Sequence, residues 1–232
     1  MRATRDLRRL QGAALSRLER LRAIAVTATR PPASSTQRET GVSYCVIELY
    51  NCWYSFSRSL YLSSAFRARD QTGSRISLTN VPVATSVDGA LTYAIRRAKP
   101  WVAKNRQPPW NWSDEPGWAR AGVLLDGLDE IGASNRATVA AALSLAGSTI
   151  AHLPPFRHFV AHRSEDTARR LRPLLAPYAI SPALHATQAL ATRASGAKGQ
   201  RPQPLLVDWI DDITNIISQS SNSPLDRYVL LT

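Results

Sequence analysis

Lysine is nearly missing from this chain and stands only at Lys99, Lys104 and Lys198. Yet Lys+Arg number 29 against 17 Asp+Glu, a formal net charge of +12, so almost all of the positive charge is arginine. A guanidinium keeps its charge when partly buried and grips phosphate through parallel N–H groups. The composition therefore points to a polyanionic partner, nucleic acid first, beside the alternative that abundant Ala and Arg reflect genomic base composition.

Cysteine is equally scarce, with only Cys45 and Cys52. Seven positions along a helix separate Cα atoms by roughly 10 Å, too far for a disulfide, so both read as buried thiols of a reducing compartment. No Cys/His cluster has zinc spacing, no glycine-rich loop has phosphate-binding spacing, and no Gly-x-Ser-x-Gly elbow occurs. His158 and His162 lie four apart, but no carboxylate follows His158 and no third ligand is evident, so neither metal nor cofactor is expected. No uninterrupted apolar run approaches the ~18 residues of a membrane span. Arginines break the N-terminal apolar positions as they would not in a secretory signal, and Asp6 and Glu19 argue against a transit peptide. The expected setting is cytoplasmic, with no membrane partner.

What is present is helical periodicity, and the expected fold class is all-α with few strands. An amphipathic helix over 3–28 carries Leu7, Leu10, Ala14, Leu21 and Ile24, with Arg17 in the seam and Leu18 beside it. It either docks on the body or forms a short coiled-coil contact with a partner. Composition makes 30–41 a linker, so the chain divides into an N-terminal helix (1–30) and a helical domain (31–232). The most apolar helix spans 42–66, with Val46, Leu49, Trp53, Phe56 and Leu60 on one side. Asn51 and Arg58 interrupt it on a shared face, which is either solvated or turned into a site.

A small hairpin is expected around 75–78, a helix over 86–98, and then a Pro- and Trp-rich loop over 99–113. Its tryptophans either stack on bases or anchor the loop to the core. Ser113 or Asp114 is the expected cap of a helix running to 131, with Glu115 and Pro116 in its first turn and Gly132 at its end. Another helix covers 136–151. Pro154 and Pro155 suit the first turn of a separate motif helix, about 154–163. Ser164 caps a continuation over 165–175, a basic loop follows over 193–204, and a last amphipathic helix covers 205–217.

The motif helix carries the chemistry. Arg157 and His162 are separated by four residues. Arginine clamps a phosphate and stabilises the charge that develops on it; histidine, titrating near neutrality, moves the proton of a ribose hydroxyl. Together they are a minimal set for metal-free RNA cleavage, in which the 2′-hydroxyl attacks the adjacent phosphate. The reaction wants both a base and an acid. His158 is the nearest second imidazole, and a two-fold dimer would supply another by repeating the helix across its axis.

The string Arg157-His158-Phe159-Val160-Ala161-His162 resembles the signature of HEPN domains, an arginine, four to six residues, then a histidine, with Asn, Asp or His common after the arginine. HEPN domains are helical bundles, usually dimeric, and many are metal-independent endoribonucleases of toxin–antitoxin, phage-defence and CRISPR-associated systems. The resemblance implies catalytic roles for Arg157 and His162, a supporting role for His158, and a composite cleft between two copies. It implies RNA as substrate, a homodimer, and an antitoxin or defence-complex partner. The family also contains inactive members, so a non-catalytic RNA- or nucleotide-binding or interaction module is the alternative. Toxins paired with nucleotidyltransferase antitoxins carry a tyrosine two residues past the histidine. Ser164 stands there in this chain, which sets it apart from that subgroup. Arg163, Asn51 and Arg58 are further substrate-binding candidates. Arg163 shares a phosphate with Arg157 only if the helix end unwinds; otherwise it contacts RNA farther out or is solvated.

Overall fold

A computed structural model describes residues 3–30, 34–193 and 203–220. The described residues are mostly helical and form no strand, as an all-α class requires. The helices are α1 (Leu7–Thr29), α2 (Ser35–Ala65), α3 (Val87–Ala98), α4 (Pro100–Asn105), α5 (Ala121–Glu130), α6 (Arg136–Leu143), α7 (Gly147–His162), α8 (Glu165–Leu171), α9 (Ala186–Ala191) and α10 (Leu205–Ser220). Two 3-10 turns lie at Ser144–Ala146 and Arg172–Tyr178. The chain forms two compact units interleaved in sequence. The first comprises Met1–Leu15, Trp53–Gly147 and Asn215–Thr232; the second comprises Ser16–Cys52 and Ser148–Thr214. The helices α1, α2 and α10 each contribute residues to both.

In the first unit the apolar face of α2 behaves as its periodicity requires, with Trp53, Phe56 and Leu60 buried. Serines 57, 59, 63 and 64 are buried with them, and such small side chains permit close packing. Tyr61 donates its hydroxyl to the Ala90 carbonyl at 2.8 Å. Its ring lies so close to α5 that a Cβ at Gly127 would come within 3.2 Å of it. Ser86 caps α3 by accepting from the Gly89 amide at 3.0 Å. Gly132 ends α5 in the left-handed region at φ +62, and a Cβ there would strike the Thr79 hydroxyl, so glycine is required on two counts.

Several expectations change in this unit. No hairpin ladder forms around 75–78; single bridges join Arg69 to Arg75 and Leu78 to Ala133. The helix expected from Ser113 or Asp114 begins only at Ala121. The residues ahead of it are held otherwise: Asn111 accepts from the Ser113 and Asp114 amides, and Glu115 is drawn onto Arg58 and Trp118. The tryptophans behave unequally. Trp118 is fully buried and Trp110 donates to the Thr92 hydroxyl at 2.9 Å, whereas Trp101 and Trp112 are exposed.

In the second unit α2 begins at Ser35, so only part of the expected linker is non-helical; residues 31–33 lie outside the described residues. Residues 194–202 of the expected basic loop also lie outside them. The buried seam of α1, followed through both units, runs through Leu7, Leu10, Ala14, Leu18, Leu21 and Ala25. Leu18 rather than Arg17 occupies it, and Ile24 is exposed, because a 3.6-residue period drifts off a strict heptad. Cys45 and Cys52 are free and buried, and burial pushes their thiols up to about 12 and about 11.

The prolines do not start a helix, because α7 runs unbroken through Pro154 and Pro155. An interior proline costs about 3 kcal/mol through its missing amide bond and its clash with the preceding turn. Continuous burial of Ile150, Leu153, Phe156, Phe159 and Val160 offsets it. Phe156 meets the Trp209 ring edge-on at 5.0 Å between centroids. Read end to end, Arg136–His162 has the length and composition of a membrane-crossing helix, and 44% of its most apolar window is buried within the protein. Ser164 caps α8 as expected, in a reciprocal pair with Thr167.

Candidate functional site

The buried stripe of α7 fixes what its remaining positions can do. With Phe156, Phe159 and Val160 facing inward, His158, Ala161 and His162 are exposed and Arg157 lies at the margin, half-buried. The Arg157 guanidinium carbon sits 5.4 Å from the centre of the Tyr50 ring on α2, a cation–π arrangement. Its Nε is buried and has no hydrogen-bond partner. No carboxylate pairs with Arg157 among the described residues.

His158 and His162 stand one helical turn apart, their ring centres 4.5 Å from each other at an interplanar angle of 54°. Neither ring makes a hydrogen bond among the described residues, unlike the two other histidines. His152 bonds the Tyr178 hydroxyl at 2.9 Å, and burial lowers its pKa. His185 bonds Thr187 at 2.9 Å and lies edge-on to Phe159. The structure thus brings His158 and His162 together. It does not bring Arg157 to His162 within one chain: five positions of an α-helix turn them about 140° apart.

Arg163 is exposed, in keeping with a solvated side chain, and it also makes a surface ion pair. The helix end does unwind there, with Arg163 left-handed at φ +41 and its amide bonded to Phe159 at 2.7 Å. The guanidinium then turns to Glu39, with a long contact to the Ser43 hydroxyl at 3.5 Å. Asn51 is also internally engaged. It donates to Glu48 at 3.3 Å, and Glu48 pairs with Arg17, which holds the carboxyl below the usual carboxylate range.

Arg58 belongs to the first unit, where it forks onto both oxygens of Glu115 at 2.6 and 2.7 Å. The Glu115 side chain is only 7% exposed and also accepts from the Trp118 indole at 2.9 Å. Arg58 is therefore the counter-ion of a buried carboxylate, and Glu115 does not sit in the first turn of a helix.

Tyr50, beneath Arg157, was invisible to motif reading, because a tyrosine in an apolar helix announces no partner. The arrangement on α7 offers a guanidinium with free N–H groups and two solvent-facing imidazoles, which are groups for holding phosphate and moving protons. Searched against known proteins, the chain matches no family model, no curated protein and no solved structure.

Proposed function

We propose that this protein is a metal-independent endoribonuclease of HEPN type, cleaving RNA by 2′-hydroxyl attack in a cleft completed by a second copy of the chain. One observation carries the reading. Among the described residues Arg157 has no carboxylate, and on the same helix His158 and His162 are exposed and unbonded. Polar groups with only a structural role are normally paired when buried, as Arg58 is. The divergence of Arg157 from His162 fits a composite site, in which the arginine of one copy meets the histidines of the other across a two-fold axis. Arg157 then holds the phosphate and His162 carries the proton, with His158 in support. The arginine-rich composition suits an RNA substrate. A toxin or phage-defence role, with an antitoxin or defence-complex partner, follows from the HEPN resemblance, and the free cysteines suit a cytoplasmic setting.

The test is cleavage of RNA by purified protein in excess EDTA. Arg157→Ala and His162→Ala should each lose activity by roughly 100-fold or more. Cleavage that survives both substitutions, or that requires a divalent metal, overturns the proposal. The same divergence favours a second reading, a non-catalytic RNA-binding module. That reading wins if Arg157→Glu weakens RNA binding while the wild type cuts no RNA offered.

A further inference from the structure

The first unit holds a cavity of about 920 Å³ whose lining includes five arginines, Arg5, Arg58, Arg67, Arg69 and Arg75, and no aspartate or glutamate. Local backbone geometry gathers them. At the end of α2, Arg67 turns left-handed at φ +54, and the following amide bonds back to the Ser63 carbonyl. The chain then runs beside the N-terminal segment: the Arg69 amide donates to Arg5, and the Leu7 amide donates to Arg69, each at 2.9 Å. Asp70 closes a tight turn through the Thr72 and Ser74 amides, and the Ile76 amide returns to Ala68, which carries Arg75 to the same rim.

Four of the five charges meet no carboxylate among the described residues. Arg58 alone meets a carboxylate, Glu115. Arg67 donates to the Ile76 carbonyl and Arg69 to the Gly73 carbonyl, contacts that orient a guanidinium without neutralising it. Arg5 and Arg75 make no side-chain hydrogen bond or ion pair among the described residues. Backbone strain accompanies the cluster, since a residue with a Cβ occupies the left-handed position at Arg67 where glycine would sit without cost. Leu62, Phe66 and Val83 supply an apolar wall.

We propose that this cavity binds a small molecule carrying two or more linked phosphates. The phosphates lie on Arg5, Arg67, Arg69 and Arg75, and the organic part rests against Leu62, Phe66 and Val83. Converging guanidiniums recognise clustered phosphate oxygens through paired N–H donors. The volume lies in the range of single-ligand pockets, which favours one compact ligand over a polymer running across the surface. The inference is independent of the chemistry on α7 and stands or falls separately from it.

Calorimetric titration at low salt compares orthophosphate, pyrophosphate, tripolyphosphate, ATP and a ten-nucleotide single-stranded RNA on the full chain. Affinity is expected to rise at least tenfold from orthophosphate to tripolyphosphate, with ATP binding at least as tightly as tripolyphosphate. The pair Arg69→Glu with Arg75→Glu should lower tripolyphosphate affinity at least tenfold. Arg75→Gln, at an exposed side chain without partners among the described residues, should lower it severalfold with the helical circular-dichroism signal unchanged. Equal binding of orthophosphate and tripolyphosphate, or full affinity in Arg75→Gln and the double variant, overturns the proposal. So does RNA binding more tightly than tripolyphosphate with the same dependence on Arg75, which would make the cavity a nucleic-acid contact.

Discussion

Arg58 and Arg157 are two half-buried arginines in different company. In the first unit, Arg58 forks onto Glu115, a carboxylate 7% exposed that a tryptophan also holds. In the second, Arg157 lies on the Tyr50 ring, with a buried Nε that bonds nothing among the described residues. Sequence reasoning makes Arg157 half of a catalytic pair and Arg58 a further substrate-binding candidate, with nothing to say which cation is neutralised. The difference teaches that an arginine becomes a functional candidate through what fails to neutralise it. A buried ion pair is held because breaking it leaves a charge stranded, whereas an arginine over a phenol ring retains N–H donors for a ligand. The histidines divide in the same way. His152 is bonded to Tyr178 inside the unit, while His158 and His162 face solvent.

The largest expected effect tests the paired side. Arg58→Ala should destabilise the protein by about 3 kcal/mol, because Glu115 stays buried without its cation. Thermal unfolding would then shift down by roughly 6–12 °C for a chain of this length. Adding Glu115→Gln should recover part of the loss, and a cost under about 1 kcal/mol for Arg58→Ala would erase the contrast with Arg157. Next comes the unpaired side. Arg157→Ala should cost less than about 1 kcal/mol in denaturant unfolding, since it removes a cation–π contact and relieves an unsatisfied Nε. A loss as large as that of Arg58→Ala would make Arg157 structural.

The smallest effect separates the histidines by pH. Burial lowers the pKa of folded His152 below its ordinary 6.5, so between those two values the unfolded chain binds the extra proton. Stability contributed by neutral His152 is therefore full above pH 6.5 and declines as pH falls toward the folded pKa. In His152→Gln that part of the slope should flatten, read by chemical denaturation at a series of pH values. An unchanged slope would mean that burial does not hold His152 neutral.

Much of the fold is legible in the sequence wherever its cause is local. The apolar stripe of α2, the Ser164 cap and the Gly132 stop all depend on residues within a few positions of one another. The misread elements have distant causes. The Pro154–Pro155 step reads as a helix start because proline suits a first turn, yet α7 runs through it, with Phe156 packed against Trp209. The helix expected from Ser113 starts instead at Ala121, because Glu115 answers to Arg58 across 57 positions of chain. The seam of α1 is displaced from Arg17 to Leu18 by the ordinary drift of the α-helical period. Of the site, the motif placed Arg157, His158 and His162 on one helix. It did not reveal that the imidazoles are neighbours and the guanidinium is turned away. Of the arginines of the cavity in the first unit only Arg58 stood out, since Arg5 and Arg75 are each joined to Arg69 by backbone contacts that no spacing encodes.

By itself, the sequence determined that this protein is helical, rich in arginine, and marked by one arginine–histidine string. Periodicity, caps and charge act between near neighbours and need no fold to be read. Only the tertiary structure decided which cations are answered and which are left open. A salt bridge, a ring beneath a guanidinium and a shared rim of arginines are all meetings of residues far apart in the chain, and burial sets the consequence of each.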